Sequence, residues 1–122
     1  MLTLITYGIK RLKIYQPNIM TTLELFNADC LIAMKKIKDK SVDLILCDLP
    51  YGILKAAAHA THEEGCGWDV PIHLEIFWRE VKRIRKNEHT PCIHFCSTKF
   101  GVDLINSNPT EFRYDLVWVK PS

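Results

Sequence analysis

An apolar run that ends in an acidic, proline-containing turn is the feature that most constrains this chain. Residues 42–47, Val-Asp-Leu-Ile-Leu-Cys, are almost wholly strand-forming, and Asp48-Leu49-Pro50-Tyr51 follows them directly. Such a run is typical of a parallel strand that helices cover on both faces. Open α/β sheets bind ligands at the carboxyl ends of their strands. We therefore expect the tetrapeptide to form a pocket for a flat ring that bears an amino group.

The rest of the pattern alternates strands with helices. Strands are predicted at residues 23–26, 42–47, 92–96 and 113–119, and helices at 30–37, 71–84 and 99–106. The helix at 71–84 is the best supported, because Pro71 suits a first helical position and the apolar residues after it recur at helical spacing. This order predicts an α/β fold with a mostly parallel sheet and right-handed crossovers.

Four segments together carry a resemblance to a known family. They are Asn27-Ala28-Asp29-Cys30, the tetrapeptide at 48–51, Gly67-Trp68-Asp69-Val70-Pro71, and residues 114–120. In this order they resemble the amino-group (adenine-N6/cytosine-N4) DNA methyltransferases, and among them the permuted group with the catalytic motif near the N-terminus. The likeness runs from about residue 23 to residue 122. It implies a partial Rossmann-like three-layer fold, S-adenosylmethionine as cofactor, and double-stranded DNA as partner, as in restriction-modification systems.

The resemblance implies a role for each residue of the tetrapeptide. An exocyclic amino group is a poor nucleophile, so acceptors aimed at its hydrogens stabilise the charge that develops during methyl transfer. The Asp48 carboxylate is one acceptor, and the backbone carbonyl of Leu49 is the other. Pro50 restricts the backbone of Leu49. The family usually has a second proline in the place of Leu49. Tyr51 would stack on a base flipped out of the duplex. Asp48, where cytosine-N4 members commonly have serine, favours adenine.

The cofactor side of the resemblance is less complete. Asp29 and Asp48 are the residues it implies for binding S-adenosylmethionine, while Asp29 also suits a helix N-cap, and the two roles are compatible. The Gly-x-Gly at Gly65-Cys66-Gly67 follows a polar stretch instead of a strand, so we interpret its glycines as loop residues. The chain is accordingly expected to be an N-terminal fragment that is inactive alone. A second chain that supplies the cofactor-binding half is one candidate partner.

The sequence divides into two parts and leaves a second function open. Residues 1–19 form an extension of unknown role, as an extra strand, a helix or neither, and residues 20–122 form the catalytic-motif part of a methyltransferase domain. The alternative function is a non-catalytic remnant or nucleic-acid-binding fragment. Cations gather near the end of the helix at 71–84, but a solvated helix face is the favoured interpretation. They are Arg79, Lys82, Arg83, Arg85 and Lys86.

Composition restricts the compartment and the ligands. A formal net charge of +2 gives no general affinity for polyanions, and no apolar run is long enough to cross a membrane. An odd count of five cysteines without framework spacing favours reduced thiols and a cytoplasmic location. Two groups resemble metal ligands, but neither has the paired spacing of zinc sites, so no metal is predicted. They are His59, His62 and Cys66, and Cys92, His94 and Cys96.

Overall fold

A computed structural model of the chain describes residues 2–6, for the backbone only, together with residues 24–52 and 69–119. Strands and helices alternate along these segments. In chain order the elements are β1 (Leu2–Thr6), α1 (Cys30–Met34), β2 (Leu44–Asp48), α2 (Leu74–Ile84), β3 (Cys92–Phe95) and α3 (Thr98–Ser107). No helix in the described ranges has the length and apolarity needed to cross a membrane.

The three strands form one parallel sheet in the order β1-β2-β3, with β2 in the middle. In the register of the sheet, Asp48 at the end of β2 lies opposite Thr6 on one side and Phe95 on the other. The α/β class and the parallel sheet are therefore confirmed. The structure also assigns a strand to the extension at residues 1–19. Residues 7–23, where the predicted boundary of the extension falls, lie outside the described ranges.

The hydrophobic core lies between the sheet and the helices. Ile45 and Cys47 of β2 are fully buried against Phe77, Val81 and Ile84 of α2, which recur at helical spacing and are also fully buried. Each such side chain contributes roughly 1.5–3 kcal/mol to folding. Other helical residues complete the same cluster: Met34 of α1, and Phe100 and Leu104 of α3.

The opposite face of the sheet is much less covered. Leu44 and Leu46 of β2 are half-buried, while Ile93 and Phe95 of β3 are about 40% exposed. The strand at residues 42–47 was predicted to be covered on both faces, and this is confirmed for one face only. All three helices contribute to a single core cluster, on the side of Ile45.

Three of the predicted elements differ from the structure. The helix predicted at 30–37 ends at Met34, and a turn with i→i−3 backbone bonds follows it, in which the Ile37 N–H donates to the Met34 carbonyl over 2.9 Å. The guanidinium of Arg83 also donates to the carbonyl oxygens of Met34 (2.7 Å) and Ile37 (2.8 Å). The strand predicted at 23–26 is wrong for residues 24–26, which have no strand partner. The strand predicted at 113–119 is also wrong, because these residues form no backbone ladder with the sheet, and their apolar side chains are largely exposed.

Candidate active site

Asp48 is the last residue of the central strand, and its carboxylate is exposed at the carboxyl edge of the sheet. The hydroxyl of Tyr51 donates a hydrogen bond to its Oδ1 atom over 3.0 Å. Within the described residues, the other carboxylate oxygen has no hydrogen bond. The predicted acceptor is therefore at the edge where ligands bind, with one oxygen oriented by Tyr51 and the other open to a ligand.

The Tyr51 ring is half-buried beside α3. Its centroid lies 5.2 Å from that of Phe100, with an angle of 31° between the ring planes. Burial, and then the hydrogen bond to Asp48, raise the pKa of the Tyr51 phenol to about 12. The phenol consequently stays protonated at neutral pH and keeps its role as donor.

Leu49 and Pro50 anchor the turn between these two residues. The Leu49 side chain is only 4% exposed and belongs to the hydrophobic core, and Pro50 is buried as well. A buried side chain restrains the backbone at position 49, where the resembling family has proline. The structure therefore brings all four residues of the predicted tetrapeptide together at one edge of the sheet.

A buried carboxylate holds the turn from the other side. The backbone N–H of Gly52 donates to Oδ1 of Asp69 over 2.8 Å, and Asp69 is 1% exposed. Gly52 has φ +70°, and a Cβ atom there would lie 2.4 Å from Cγ of Pro71. Asp69 and Pro71 belong to one of the resembling segments, so two segments distant in sequence meet at this point. Trp68 lies outside the described residues.

Sequence reasoning missed the positioning role of Asp69 and Gly52. The signal was present in Asp69, an acidic residue between apolar neighbours just before a helix, but no local pattern indicates its partner. Pro71 does not open α2 as predicted, since the helix begins three residues later with His73 as its N-cap. Pro71 instead packs against Gly52.

Asp29 caps α1, as the sequence predicts. Its Oδ1 atom accepts from the backbone N–H groups of Leu31 (2.9 Å) and Ile32 (3.3 Å). This accounts for one carboxylate oxygen. The implied contact of Asp29 with a cofactor stays a prediction, and Gly65 and Gly67 lie outside the described residues.

The cations of α2 are only partly a solvated face. Arg85 makes a two-pronged ion pair with Glu111, both distances being 3.0 Å, and Lys86 contacts Asp43 at 2.8 Å. Arg83 bonds to Glu80 as well as to the carbonyls of Met34 and Ile37 at the end of α1. The interpretation as a solvated face is thus wrong for Arg83 and Arg85, which are partly buried and join separate elements, whereas Lys86 is exposed as well as paired with Asp43.

Basic side chains also line an open depression at the other end of the sheet. Val42, just before β2, forms a bridge with Arg85, which places this depression at the amino edge, away from Asp48. The residues that line it are Lys40, Lys82, Arg85, Lys86, Asn87 and Glu88.

Two cysteine sulfur atoms and one histidine side chain lie close together in the sheet, next to Asp48. Cys92 Sγ is 3.2 Å from His94 Nε2, and the Cys47 sulfur lies within 4.8 Å of both. Hydrogen bonds with Cys47 and then with His94 outweigh the opposing effect of burial, and together they lower the pKa of the Cys92 thiol to about 6. Cys96, which the sequence grouped with Cys92 and His94, is exposed and lies outside this cluster.

Comparison with known proteins gives no relative for this chain, since no family model, curated protein or solved structure matches it. The geometry of the site is therefore the basis for the functional argument.

Proposed function

We propose that this chain carries the base-binding part of an amino-group DNA methyltransferase site. The preferred target is adenine N6, with cytosine N4 less favoured. The observation that carries the proposal is the pairing of the exposed Asp48 carboxylate with the half-buried Tyr51 ring at the carboxyl end of the central strand. An acceptor beside an aromatic ring fits a planar base that bears an amino group.

The chemistry assigned to Asp48 follows from charge development. The amino nitrogen gains positive charge as it forms its bond to carbon, and a carboxylate that accepts one of its hydrogens stabilises that charge. The same carboxylate can accept the proton that the nitrogen must release. The carbonyl of Leu49 is the proposed second acceptor. The bond from Tyr51 to Oδ1 leaves the other oxygen of Asp48 for the substrate.

Tyr51 is the proposed stacking surface for a flipped base. Phe100 supports its ring, and the bond to Asp48 holds the phenol oxygen. Stacking on an aromatic side chain is worth roughly 1–3 kcal/mol per base, which helps to offset the cost of extracting the base from the duplex. Double-stranded DNA is accordingly the proposed partner.

The residues present fit S-adenosylmethionine only in part. When bound, this cofactor supplies the methyl group. Asp29 and Asp48 offer carboxylates to its hydroxyl or amino groups, but neither turn after β2 or β3 in the described ranges is glycine-rich. Such a turn lets a ligand approach the backbone closely. We therefore propose that the chain is catalytically inactive alone.

The sheet face opposite the core is partly exposed, which supports the presence of a further element that covers it. Parallel sheets occur almost only with both faces covered, yet Ile93 and Phe95 are exposed here. A second chain that covers this face and supplies the cofactor-binding part is the proposed arrangement, and it would complete the three-layer Rossmann-like architecture.

Photo-crosslinking tests the base-binding proposal without needing catalysis. Duplexes of mixed sequence with a mispaired 5-iodouracil are irradiated with the purified chain, and the crosslinked peptide is mapped. We expect the crosslink at Tyr51 and its loss in Tyr51→Ala. Tyr114→Ala is the matched control, because Tyr114 is 73% exposed and distant in sequence from the site. Crosslinks that map elsewhere and survive Tyr51→Ala would refute the proposal.

Incubation with labelled S-adenosylmethionine and mixed-sequence DNA tests the second part. We expect no incorporation by the chain alone. Robust incorporation that disappears in Asp48→Ala would confirm the methyltransferase site but contradict the proposed inactivity.

The alternative function is nucleic-acid binding without catalysis. The basic depression at the amino edge is the observation that favours it, since lysine and arginine side chains there suit phosphate contacts. Under this alternative, Lys40→Ala would weaken DNA binding and Tyr51→Ala would leave it unchanged. The methyltransferase proposal predicts instead that Tyr51→Ala weakens binding to mispaired duplexes more than Lys40→Ala does.

A further inference from the structure

The register of the sheet brings three metal-binding side chains together on its inner face. Cys47 of β2 lies directly opposite His94 of β3, and Cys92 is two residues before His94 on the same strand face. Residues two apart on a strand point to the same side. The ligand atoms of all three therefore converge, within 4.8 Å of one another.

We propose that Cys47, Cys92 and His94 bind a thiophilic divalent cation, with zinc as the best fit. Two sulfur atoms and one imidazole nitrogen form a ligand set that zinc prefers. Zinc–sulfur and zinc–nitrogen bonds of about 2.3 and 2.0 Å place a tetrahedral sulfur–nitrogen pair about 3.5 Å apart. The observed 3.2 Å between Cys92 Sγ and His94 Nε2 lies close to that spacing. A water molecule would occupy the fourth position.

The surroundings of His94 support this assignment. Its ring packs edge-on against Phe77 and Trp78, with centroid distances of 5.7 and 5.3 Å, and its Nδ1 atom is buried without a hydrogen bond. The contacts with Phe77 and Trp78 hold the ring in the orientation in which Nε2 faces the Cys92 sulfur, so this nitrogen is the proposed ligand atom.

A disulfide between the two cysteines does not explain the cluster. Cys47 and Cys92 are offset by two residues across neighbouring strands, which puts their Cα atoms about 8 Å apart. A disulfide needs a separation below about 7 Å. Metal binding requires no such backbone movement, and it releases the thiol protons to solvent.

The position of the cluster gives the ion a structural role next to the candidate active site. Cys47 immediately precedes Asp48, and the other two ligands lie on the neighbouring strand. A bound ion would link β2 to β3 at the edge that presents the carboxylate. The site uses none of the residues assigned to base binding, so it stands independently of the proposed function.

Cobalt(II) titration of the reduced full-length chain tests the proposal. We expect one equivalent to bind, with visible ligand-field bands and a thiolate charge-transfer band, and zinc to displace it. Cys92→Ser and His94→Gln should each weaken binding by more than roughly 100-fold, since even residues that only support metal ligands contribute 10–100-fold. Cys96→Ser is the matched control and should bind like the wild type, because Cys96 is exposed outside the cluster.

Two further measurements keep the result decisive. Circular dichroism checks that each variant is folded, and a loss of zinc-induced thermal stabilisation in folded Cys92→Ser or His94→Gln supports the site. Cys66→Ser tests whether the metal instead binds the other candidate group, which consists of His59, His62 and Cys66. Binding that is absent from the wild type, or that is lost in Cys66→Ser and retained in Cys92→Ser, would overturn the proposal.

Discussion

Replacement of Gly52 by alanine tests how strongly the turn after Tyr51 is held. Gly52 has φ +70°, and its N–H donates to the buried carboxylate of Asp69. An added Cβ would lie 2.4 Å from Cγ and 2.9 Å from Cδ of Pro71, distances that real structures do not tolerate. Either the Pro71 ring or the turn must move, and movement of the turn would lengthen the bond to Asp69.

The magnitude follows from two costs and one gain. A left-handed conformation costs an alanine residue about 1–2 kcal/mol. Displacement of the Pro71 ring adds about 1 kcal/mol, the low end of the cost of overpacking, because this ring is exposed and can shift. The stiffer unfolded chain of the alanine variant offsets roughly 0.5–1 kcal/mol. We therefore expect Gly52→Ala to lower the free energy of unfolding by about 2 kcal/mol.

Gly101→Ala is the matched control, because it makes the same chemical change inside α3. Alanine gains roughly 0.5–1 kcal/mol over glycine in a helix. Its Cβ would lie 3.2 Å from the Cys96 sulfur, which is exposed and free to shift. We expect this variant to be as stable as the wild type or slightly more stable.

Urea unfolding of both variants, followed by circular dichroism, measures the two effects on one scale. The expected result is a clear loss for Gly52→Ala and none for Gly101→Ala. A Gly52→Ala variant within about 0.5 kcal/mol of the wild type would refute the argument that this turn is fixed by its contact with Pro71.

Three further predictions concern side chains that join elements. Arg83→Met should lower the free energy of unfolding in urea by about 2 kcal/mol, because it removes the side-chain donor of the Ile37 carbonyl and leaves the buried Glu80 carboxylate without its partner. Replacement of the half-exposed Lys82 by Met should cost less than about 0.5 kcal/mol. Equal losses would contradict this explanation. Desolvation opposes ionisation of Glu111, but hydrogen bonds from its partners outweigh desolvation and lower the pKa of its carboxyl group. The stability that the ionised Glu111 adds should therefore be lost as the pH falls below about 4. In acid titrations, the difference in stability between wild type and Glu111→Gln should shrink in that range. Ultraviolet titration should show one phenol with a pKa of about 12 that Tyr51→Phe removes and Tyr114→Phe retains.

The elements that were well predicted are those whose signal is local. The apolar residues of α2 recur at helical spacing, so one face is buried wherever the helix docks. Residues 92–95 are confirmed as a strand, and α3 begins at Thr98, one residue before the predicted start. For the same reason the tetrapeptide was correctly expected at a strand end, because strand and turn are contiguous in sequence.

The elements that were wrongly predicted depend on distant partners. A strand exists only beside another strand, and propensity at residues 113–119 does not supply a neighbour. The turn that ends α1 is bound by Arg83, which lies 49 residues away from the carbonyl it contacts at Met34. The pairing of Gly52 with Asp69 spans 17 residues, so no local pattern indicates it.

Distance in sequence also explains why the sequence alone grouped the proposed metal ligands incorrectly. The sequence groups Cys92 with Cys96, four residues on, whereas the sheet register brings Cys92 to Cys47 instead. Residues on neighbouring strands become adjacent only once the register is known. A grouping by sequence spacing alone therefore had no means of including Cys47.

The path of residues 112–119 has a consequence for how the sheet can grow. The Arg85–Glu111 ion pair fixes the start of this segment at the amino edge of the sheet, and the Trp118 ring lies 6.4 Å from Phe95 at the carboxyl edge. Eight residues can span at most about 26–29 Å, more than the length of β3. The segment already travels in the strand direction after a helical crossover. A sideways translation onto the free edge of β3 would therefore add a fourth parallel strand without any change in chain topology.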